Sequence, residues 1–383
     1  MKNIDLLLKE NAHILNRRVY FQKNKIIIDF RSIDCIDGEV LKLIINSFNY
    51  AINKYRDIKI PIMLMFEDAQ FKDKLTYICL ECVCYYIIKI LNIKISISAN
   101  FVQTITSEGI SSSPLLLLNT KFPQKSKYIE KFKNDIFKNH FRAIVKNSEI
   151  TTPRISILMQ EISTFLKFFD FEENYSSDII ETIIELVTNG ASHSESDCLL
   201  DIDITNQYIH KENGKKYRGL NICVLDFSTK KLYTDLENKL ICDDNIINKY
   251  TELKKIYIHH KENFFSTNYN QHDFFSIATF QDKISGRKKE YFVGGTGLTK
   301  LIKALQEKSD TDNCYVLTGK NVIYFTKENL CSDPNGWISF NSSNNDFTKY
   351  APKKGVIDRC FVYFPGTAYN LNFIIKVEDD FFE

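Results

Sequence analysis

The chain has 383 residues, which is enough for two or three domains and for a core that buries about three quarters of the unfolded surface. Its 50 Lys and Arg residues against 48 Asp and Glu residues leave a formal net charge of +2, which excludes an overall basic field that attracts nucleic acid or anionic lipid. Hydrophobic residues make up 44% of the chain, but charges interrupt every apolar stretch before it reaches the length of a membrane span. The composition therefore predicts a globular protein that does not associate with a membrane.

The amino-terminal sequence MKNIDLLLKENAH has no apolar stretch of signal-peptide length. The 10 cysteines follow no disulfide-framework spacing, which suits a reducing compartment. Cys79, Cys82 and Cys84 lie in the apolar segment ICLECVCYYII without a second ligand pair at zinc-finger spacing. We interpret them as packing residues of a buried helix, and we expect a cytoplasmic protein.

The first part of the chain alternates apolar strands with helical patterns. The runs over 25–30 (KIIIDF) and 60–66 (IPIMLMF) predict two strands, joined by a helix over 39–55. A crossover of this length requires the strands to be parallel. A second helix over 72–91 precedes a third strand in IKISIS. The pattern predicts a small α/β domain over residues 1–110.

Two segments rich in turn-forming residues follow this domain, SEGISSSP and FPQKSKY. We therefore assign residues 111–150 to a linker and a connecting helix, with the helix over about 125–145. A further helix over 153–169 opens the second domain, which we assign to residues 151–383.

The segment SSDIIETIIELVTNGASHS, residues 176–194, predicts an amphipathic helix with one apolar face. Glu181, Glu185 and Asn189 are spaced four apart, so they form one polar stripe beside that face. A stripe of this kind is equally typical of an ordinary solvated helix surface. The function therefore depends on what accompanies it.

Three later segments carry further signals. GLNICVLDF is almost continuously apolar, which is typical of a strand buried on both faces, and it carries Asp226, a carboxylate that needs a partner there. In YFVGGTGLTKLIKAL a glycine-rich turn directly precedes a helical pattern, and such glycines let backbone N–H groups approach a phosphate chain. CFVYFPGTAYNLNFII places Gly366 and Thr367 in a predicted turn between apolar runs.

In this order and spacing the segments resemble the motifs of the GHKL superfamily, which includes gyrase, the large heat-shock chaperones, histidine kinases and MutL. The resemblance covers about residues 153–377. ELVTNGASH resembles the N box, VLDF the first glycine box, GGTGL the second and PGT the third. The resemblance implies a two-layer α/β sandwich, the Bergerat ATP-binding fold, with ATP and Mg²⁺ as cofactors.

The resemblance also implies roles for individual residues. Glu185 would be the general base, Asn189 the magnesium ligand and His193 the last residue of the N box. Asp226 would accept a hydrogen bond from the adenine amino group, and Thr367 would lie beside the adenine. The phosphates would be held by the second glycine box, which consists of Gly294, Gly295, Thr296, Gly297 and Leu298. An amide oxygen suits magnesium, and a carboxylate one helical turn away can orient a water or a hydroxyl.

The first glycine box departs from the family pattern. The family continues Asp-x-Gly-x-Gly, whereas here Asp226 is followed by Phe227, Ser228, Thr229 and Lys230. Because both glycines are missing, a protein of this fold that does not hydrolyse nucleotide is an alternative.

Residues 228–293 correspond to the ATP lid of the family. Helices are expected near 245–258 and 274–282 within it. We interpret its histidines as surface residues rather than metal ligands; they are His259, His260 and His272.

Two comparisons indicate a branch of the superfamily. The N box and the helix before it look most like the anti-sigma-factor serine kinases, and IIIDFRSIDCIDGEVLKLI is similar to part of the STAS domains that partner them. Gly38 follows Asp37 where STAS domains offer a serine, so phosphorylation there is unsupported and a role in assembly is the alternative. The histidine-kinase branch is disfavoured because Phe141, and not an acidic residue, follows His140.

The sequence thus predicts an ATP-binding regulatory enzyme, either a Mg-dependent ATPase or a protein serine/threonine kinase that acts on a partner protein. The alternative is a nucleotide-gated interaction switch without turnover. A clamp ATPase that acts on nucleic acid is disfavoured by the near-neutral charge. Dimerisation is common in the superfamily, and by that analogy a homodimer is an open alternative.

Overall fold

The computed structural model describes residues 3–11, 18–55, 60–99, 113–119, 123–169, 171, 173–193, 196–209, 214–242, 249–264, 269–282, 284, 297–308 and 314–377. The protein is a mixed α/β structure in which helices pack on two main sheets. Among the described helices, none combines the length and the apolar character that crossing a membrane requires.

The N-terminal part comprises α1 (Asp5–Lys9), β1 (Val19–Gln22), β2 (Lys25–Asp29), β3 (Cys35–Ile36), α2 (Gly38–Lys54), β4 (Ile62–Met65), β5 (Gln70–Phe71), α3 (Lys74–Lys89) and β6 (Ile95–Ser98). A four-stranded sheet has the order β1-β2-β4-β6. β1 is antiparallel to β2, whereas β2, β4 and β6 are parallel, as the crossover lengths predicted. A short parallel pair joins β3 to β5.

Aspartates begin the two main helices of this part. The Asp37 carboxylate accepts hydrogen bonds from the backbone N–H groups of Glu39 and Val40, and Asp73 accepts one from Thr76. Each carboxylate satisfies N–H groups that have no partner within the helix. The bounds of α2 and α3 lie within two residues of the predicted ones.

The C-terminal part begins after a short 3₁₀ helix, Pro114–Leu118, and a helix, α4 (Lys125–Lys133). It comprises β7 (Asn134–Phe137), β8 (His140–Val145), α5 (Thr152–Lys167), α6 (Glu173–His193), β9 (Cys198–Ile204), β10 (Tyr208–Ile209), β11 (Lys216–Asp226), α7 (Thr234–Cys242), α8 (Lys249–Lys261), α9 (Gln271–Ala278), α10 (Gly297–Lys308), β12 (Tyr315–Tyr324) and β13 (Ile357–Lys376). The large sheet has the order β12-β13-β11-β9-β8-β7, and every pairing in it is antiparallel.

Both faces of the large sheet are covered. Along β11, Ile222 and Val224 belong to the core formed with α5, α6 and α10, whereas Cys223 and Leu225 belong to the core formed with α2 and α3. Alternate residues of a strand point to opposite faces, so each strand contributes to both cores. The helices α2 and α3 therefore lie between the two sheets.

This position explains why α3 is buried on almost every side. Cys79, Cys82 and Cys84 are buried in it, and burial raises the pKa of each thiol. The three cysteines thus behave as small apolar packing residues.

The predicted helix over 125–145 is wrong in its second half. The helix ends at Lys133, and the chain then forms the hairpin of β7 and β8, with Lys138 at a positive φ of 53° in the turn. β8 pairs with β9 inside the large sheet. Residues 134–145 therefore belong to the large sheet and do not continue the connecting helix.

The segment predicted as a lid, 228–293, is largely core in its described part. Tyr250, Phe274 and Phe275 are buried in the same core as α6. His260, expected at the surface, is buried instead: Tyr269 Oη lies 2.9 Å from Nδ1 and the Phe347 carbonyl 2.8 Å from Nε2. The segment between β12 and β13 covers this region and supplies the partner of His260. Residues 285–293 lie outside the described residues.

Candidate functional site

The helix α6 carries the predicted N box. Ile180, Ile183 and Val187 are buried against the large sheet, as the apolar periodicity predicted. Glu185 and Asn189 are half-buried at the edge of this face. His193 is the last residue of α6, and its side chain lies outside the described part of the structure.

Asp226 is the last residue of β11, where it continues the row of Ile222 and Val224 on the face toward α6. A Cβ placed on Gly190 of α6 would lie 3.6 Å from the Asp226 Cβ and 3.7 Å from its Oδ2. Gly190 directly follows Asn189 in the chain. The fold therefore brings the predicted N box close to the strand-end carboxylate.

The predicted third glycine box lies beside the same carboxylate. Thr367 of β13 is the register partner of Asp226, and its other neighbour is Thr318 of β12. The prediction of a turn at Gly366 and Thr367 is wrong, because β13 runs through both residues. Gly366 instead adopts a φ of +88°, which bends the strand without ending it.

The Asp226 carboxyl is buried, with 6% of the residue exposed. Within the described part of the chain its Oδ1 has no hydrogen-bond partner. Burial raises the pKa of this carboxyl well above its usual range, and a hydrogen bond from the Thr367 backbone only partly opposes the rise. A buried acceptor without a donor is uncommon and is typical of a functional position.

The predicted second glycine box precedes and begins α10. Gly294, Gly295 and Thr296 lie outside the described residues, Gly297 is the first residue of α10, and Leu298 packs against the core. Lys300, one turn into α10, donates to Glu181 of α6 at 2.7 Å. The Glu181 carboxylate raises the pKa of Lys300, and Glu185 adds to the effect. The start of α10 therefore lies beside the polar stripe of α6.

These positions bear on the expected magnesium. Asn189 offers a neutral amide oxygen, and Glu185 offers a carboxylate one helical turn away. The two residues therefore fit the donor set that the resemblance implied. The Asp226 Oδ1, which has no hydrogen-bond partner among the described residues, fits a ligand that brings an N–H donor.

A second cluster, which the sequence reasoning missed, lies on the opposite face of the sheet. Lys74 Nζ of α3 lies 2.6 Å from Asp201 Oδ1 and 2.6 Å from Asp203 Oδ2, both in β9. Arg142 of β8 donates to Asp201 and also to Glu81 of α3. We call these side chains, with His140, the interlayer charge cluster. The alternation LLDIDI, which puts two carboxylates on one strand face, is the signal that could have predicted it.

His140, Asp201 and Asp203 are close enough together to hold a metal ion. The Lys74 ammonium already contacts both carboxylates, however, so the protein's own cation neutralises them. The cluster therefore fits a structural role in joining α3 to the large sheet.

The two positions that the sequence analysis weighed as phosphorylation sites are both packed inside the protein. His140 is buried in β8, with Asp135 Oδ2 2.8 Å from Nδ1 and Asp201 Oδ2 3.0 Å from Nε2. Gly38 begins α2, and a Cβ on it would lie 3.4 Å from the Cys360 Sγ of β13. The position where STAS domains offer a serine is thus packed against the large sheet.

No protein-family model, curated protein or solved structure matches this chain.

Proposed function

We propose that this chain is an ATP-binding regulatory protein of the GHKL type, which hydrolyses ATP or transfers its terminal phosphate to a partner protein. One observation carries the proposal. The buried carboxyl of Asp226, whose Oδ1 has no hydrogen-bond partner among the described residues, lies among Gly190, Gly366 and Thr367, which belong to two of the other predicted motifs.

The Asp226 carboxyl is the group that recognises the base. An adenine amino group supplies a donor for Oδ1, so binding satisfies a buried polar atom that no described residue satisfies. A Cβ on Gly190 would lie 3.7 Å from the Asp226 Oδ2, so α6 passes close beside the carboxyl. Thr367, on the neighbouring strand, lies at the side of the same position.

The polar stripe of α6 serves the phosphates. Asn189 holds the magnesium ion, which neutralises charge on the phosphate chain. Glu185 orients the attacking water or hydroxyl and accepts its proton. The backbone N–H groups at the start of α10 face the phosphates, where the helix dipole favours negative charge.

The architecture supports the same assignment. From β8 to β13 the order is one strand, two helices, three strands, four helices and two strands, with the motifs on α6, β11, α10 and β13. This is the basis for proposing a Bergerat-type fold in the C-terminal part. The parallel strands and crossover helices of the N-terminal part support a STAS-like unit whose role is assembly.

A second candidate function is a nucleotide-gated interaction switch without turnover. Ser228 stands where the family has its first glycine, and Phe227 directly before it is fully buried, with its ring centroid 5.2 Å from that of Phe364. The residue after Asp226 is therefore fixed in the core shared with α2 and α3. This observation favours a site whose adenine side differs from that of active family members.

Two substitutions test the proposal in the full-length chain. Asp226→Ala is expected to abolish saturable ATP binding, whereas Glu185→Ala is expected to bind ATP and form no ADP or phosphoprotein. Asp34→Ala, which removes an exposed carboxylate, is the control and should change neither. Unchanged binding and turnover in both site variants would reject the site. ATP binding by the unaltered chain, without ADP or phosphoprotein, would favour the switch.

A further inference from the structure

A groove of about 740 Å³ lies on the N-terminal sheet, along its edge strand β6. Its volume falls within the range of about 300–1,000 Å³ that is typical of small-molecule sites. One wall is the sheet, with Met63 and Ser96, and the other is the chain around Leu118 and Pro123. The groove is separate from Asp226, which lies on the face of the large sheet toward α6.

The walls of the groove are aliphatic. Pro61, Met63, Ile88 and Leu118 contribute to them. Among the residues that line the groove in the described part of the chain, there is no aromatic ring. A nucleobase or another flat ring usually stacks on an aromatic side chain, so this lining favours a flexible hydrocarbon chain.

One end of the groove is cationic. The register of the parallel strands puts Lys25, Pro61 and Lys94 side by side, each just before or at the start of its strand. Lys125, the first residue of α4, joins this end because its Nζ donates to Asn92. The described lining contains no carboxylate. Three lysines, with no acidic side chain among the described residues that line the groove, are complementary to an anionic head group.

The rest of the groove follows β6 away from the lysines. Ser96 and Ser98 line it and alternate with Ile95 and Ile97, which are buried. The four residues of β6 extend over about 10 Å at roughly 3.3 Å per residue. At the far end Asn119 donates to the Ala99 carbonyl at 3.1 Å, which closes that end with a polar group.

We propose that this groove binds a single-chain anionic amphiphile, a fatty carboxylate of medium length. The carboxylate lies among Lys25, Lys94 and Lys125, and the hydrocarbon chain lies along β6 against Met63 and Leu118. The site belongs to the STAS-like part of the chain and does not require nucleotide.

The test uses the full-length chain and calorimetric titration with octanoate, dodecanoate and hexadecanoate below their aggregation concentrations. At least one carboxylate is expected to bind with a stoichiometry near 1:1. Dodecanol, which has the same chain and no charge, is expected to bind about tenfold more weakly or worse. Equal binding of the alcohol would overturn the assignment of the lysines, and absence of saturable binding by all three carboxylates would overturn the site.

Variants separate this site from non-specific adsorption. The double variant Lys94→Glu/Lys125→Glu is expected to lose about tenfold or more in affinity, and Ser96→Phe is expected to fill the groove and prevent binding. Lys255→Glu changes an exposed lysine of α8 and should bind like the unaltered chain. If Ser96→Phe does not fold, the double variant Lys94→Glu/Lys125→Glu tests the proposal alone. It reverses two charges at the groove and removes no buried apolar side chain. Equal affinity in all variants would contradict the proposal.

Discussion

Gly366 and Asp226 are packed so closely that a side chain at position 366 has no room. A Cβ there would lie 2.5 Å from the Asp226 Oδ1 and 2.4 Å from the Asp226 backbone oxygen. These distances are shorter than any van der Waals contact. Position 366 in the PGT motif therefore requires glycine, because β11 and β13 approach each other closely at the candidate adenine position.

Gly366→Ala is expected to reduce the free energy of unfolding by about 3 kcal/mol or more, because it combines backbone strain at φ +88° with a clash. Gly355→Ala is the matched control. Gly355 has a φ of +90° but nothing within 4 Å of a Cβ, so only strain of about 1 kcal/mol is expected. Urea unfolding measures both. Equal losses in the two variants would show that the contact with Asp226 is unimportant.

The interlayer charge cluster joins the N-terminal part to the large sheet. Lys74→Met removes the cation between Asp201 and Asp203 and leaves buried carboxylates with fewer partners. We expect a loss of about 3–5 kcal/mol in the free energy of unfolding. Lys72→Met is the control: it changes an exposed lysine two residues earlier and should leave the free energy of unfolding almost unchanged.

If Lys74→Met is too unstable to purify, the double variant Lys74→Met/Asp203→Leu is measured instead. It replaces the charge pair with apolar groups and should recover much of the stability. A single variant as stable as the unaltered chain would contradict the role assigned to the cluster.

The stability of the chain should depend on pH through His140. Burial of the ring lowers the pKa of His140, but the carboxylates of Asp201, Asp203 and Asp135 raise it by more, from 6.5 to about 9. The cations Lys74 and Arg142 also contact Asp201. Because the folded-state pKa is the higher one, the stabilisation is complete below pH 6.5 and is lost as the pH rises to about 9. The full loss is about 3 kcal/mol.

Urea unfolding from pH 6 to pH 9 measures this loss, with His140→Gln as the comparison. The variant should be less stable at pH 6 and should show a flatter profile, because the titrating ring is gone. The difference between the two profiles isolates His140 from the other histidines. Parallel profiles would show that the pKa of His140 is not raised.

Local patterns were sufficient for the elements that carry the candidate site. The apolar periodicity of α6 and the continuous apolar run of β11 depend on nearby residues only, and both elements form as predicted. The alternation within β11 also indicates the direction of Asp226, because Ile222 and Val224 face α6. The fold brings segments from three of the four predicted motifs together, at Gly190, Asp226 and Thr367.

Other features depended on distant pairing and could not be predicted from local patterns. The sequence pattern over residues 134–145 does not distinguish a strand from a helix, and the pairing of β8 with β9 and of β7 with β8 makes this segment a hairpin. Gly366 resembles a turn glycine, but β11 and β12 hold the chain as a strand on both sides of it. The burial of His260 depends on Phe347, 87 residues later.

The central claim is that Asp226 recognises adenine in a magnesium-dependent nucleotide site. Calorimetric titration of the full-length chain with ATP and Mg²⁺ tests it most directly, with GTP as the comparison. We expect one saturable site for ATP, weaker binding when Mg²⁺ is removed, and poor binding of GTP, because guanine has a carbonyl acceptor where adenine has an amino donor. Absence of saturation by ATP up to about 1 mM, or equal binding of GTP, would contradict the account.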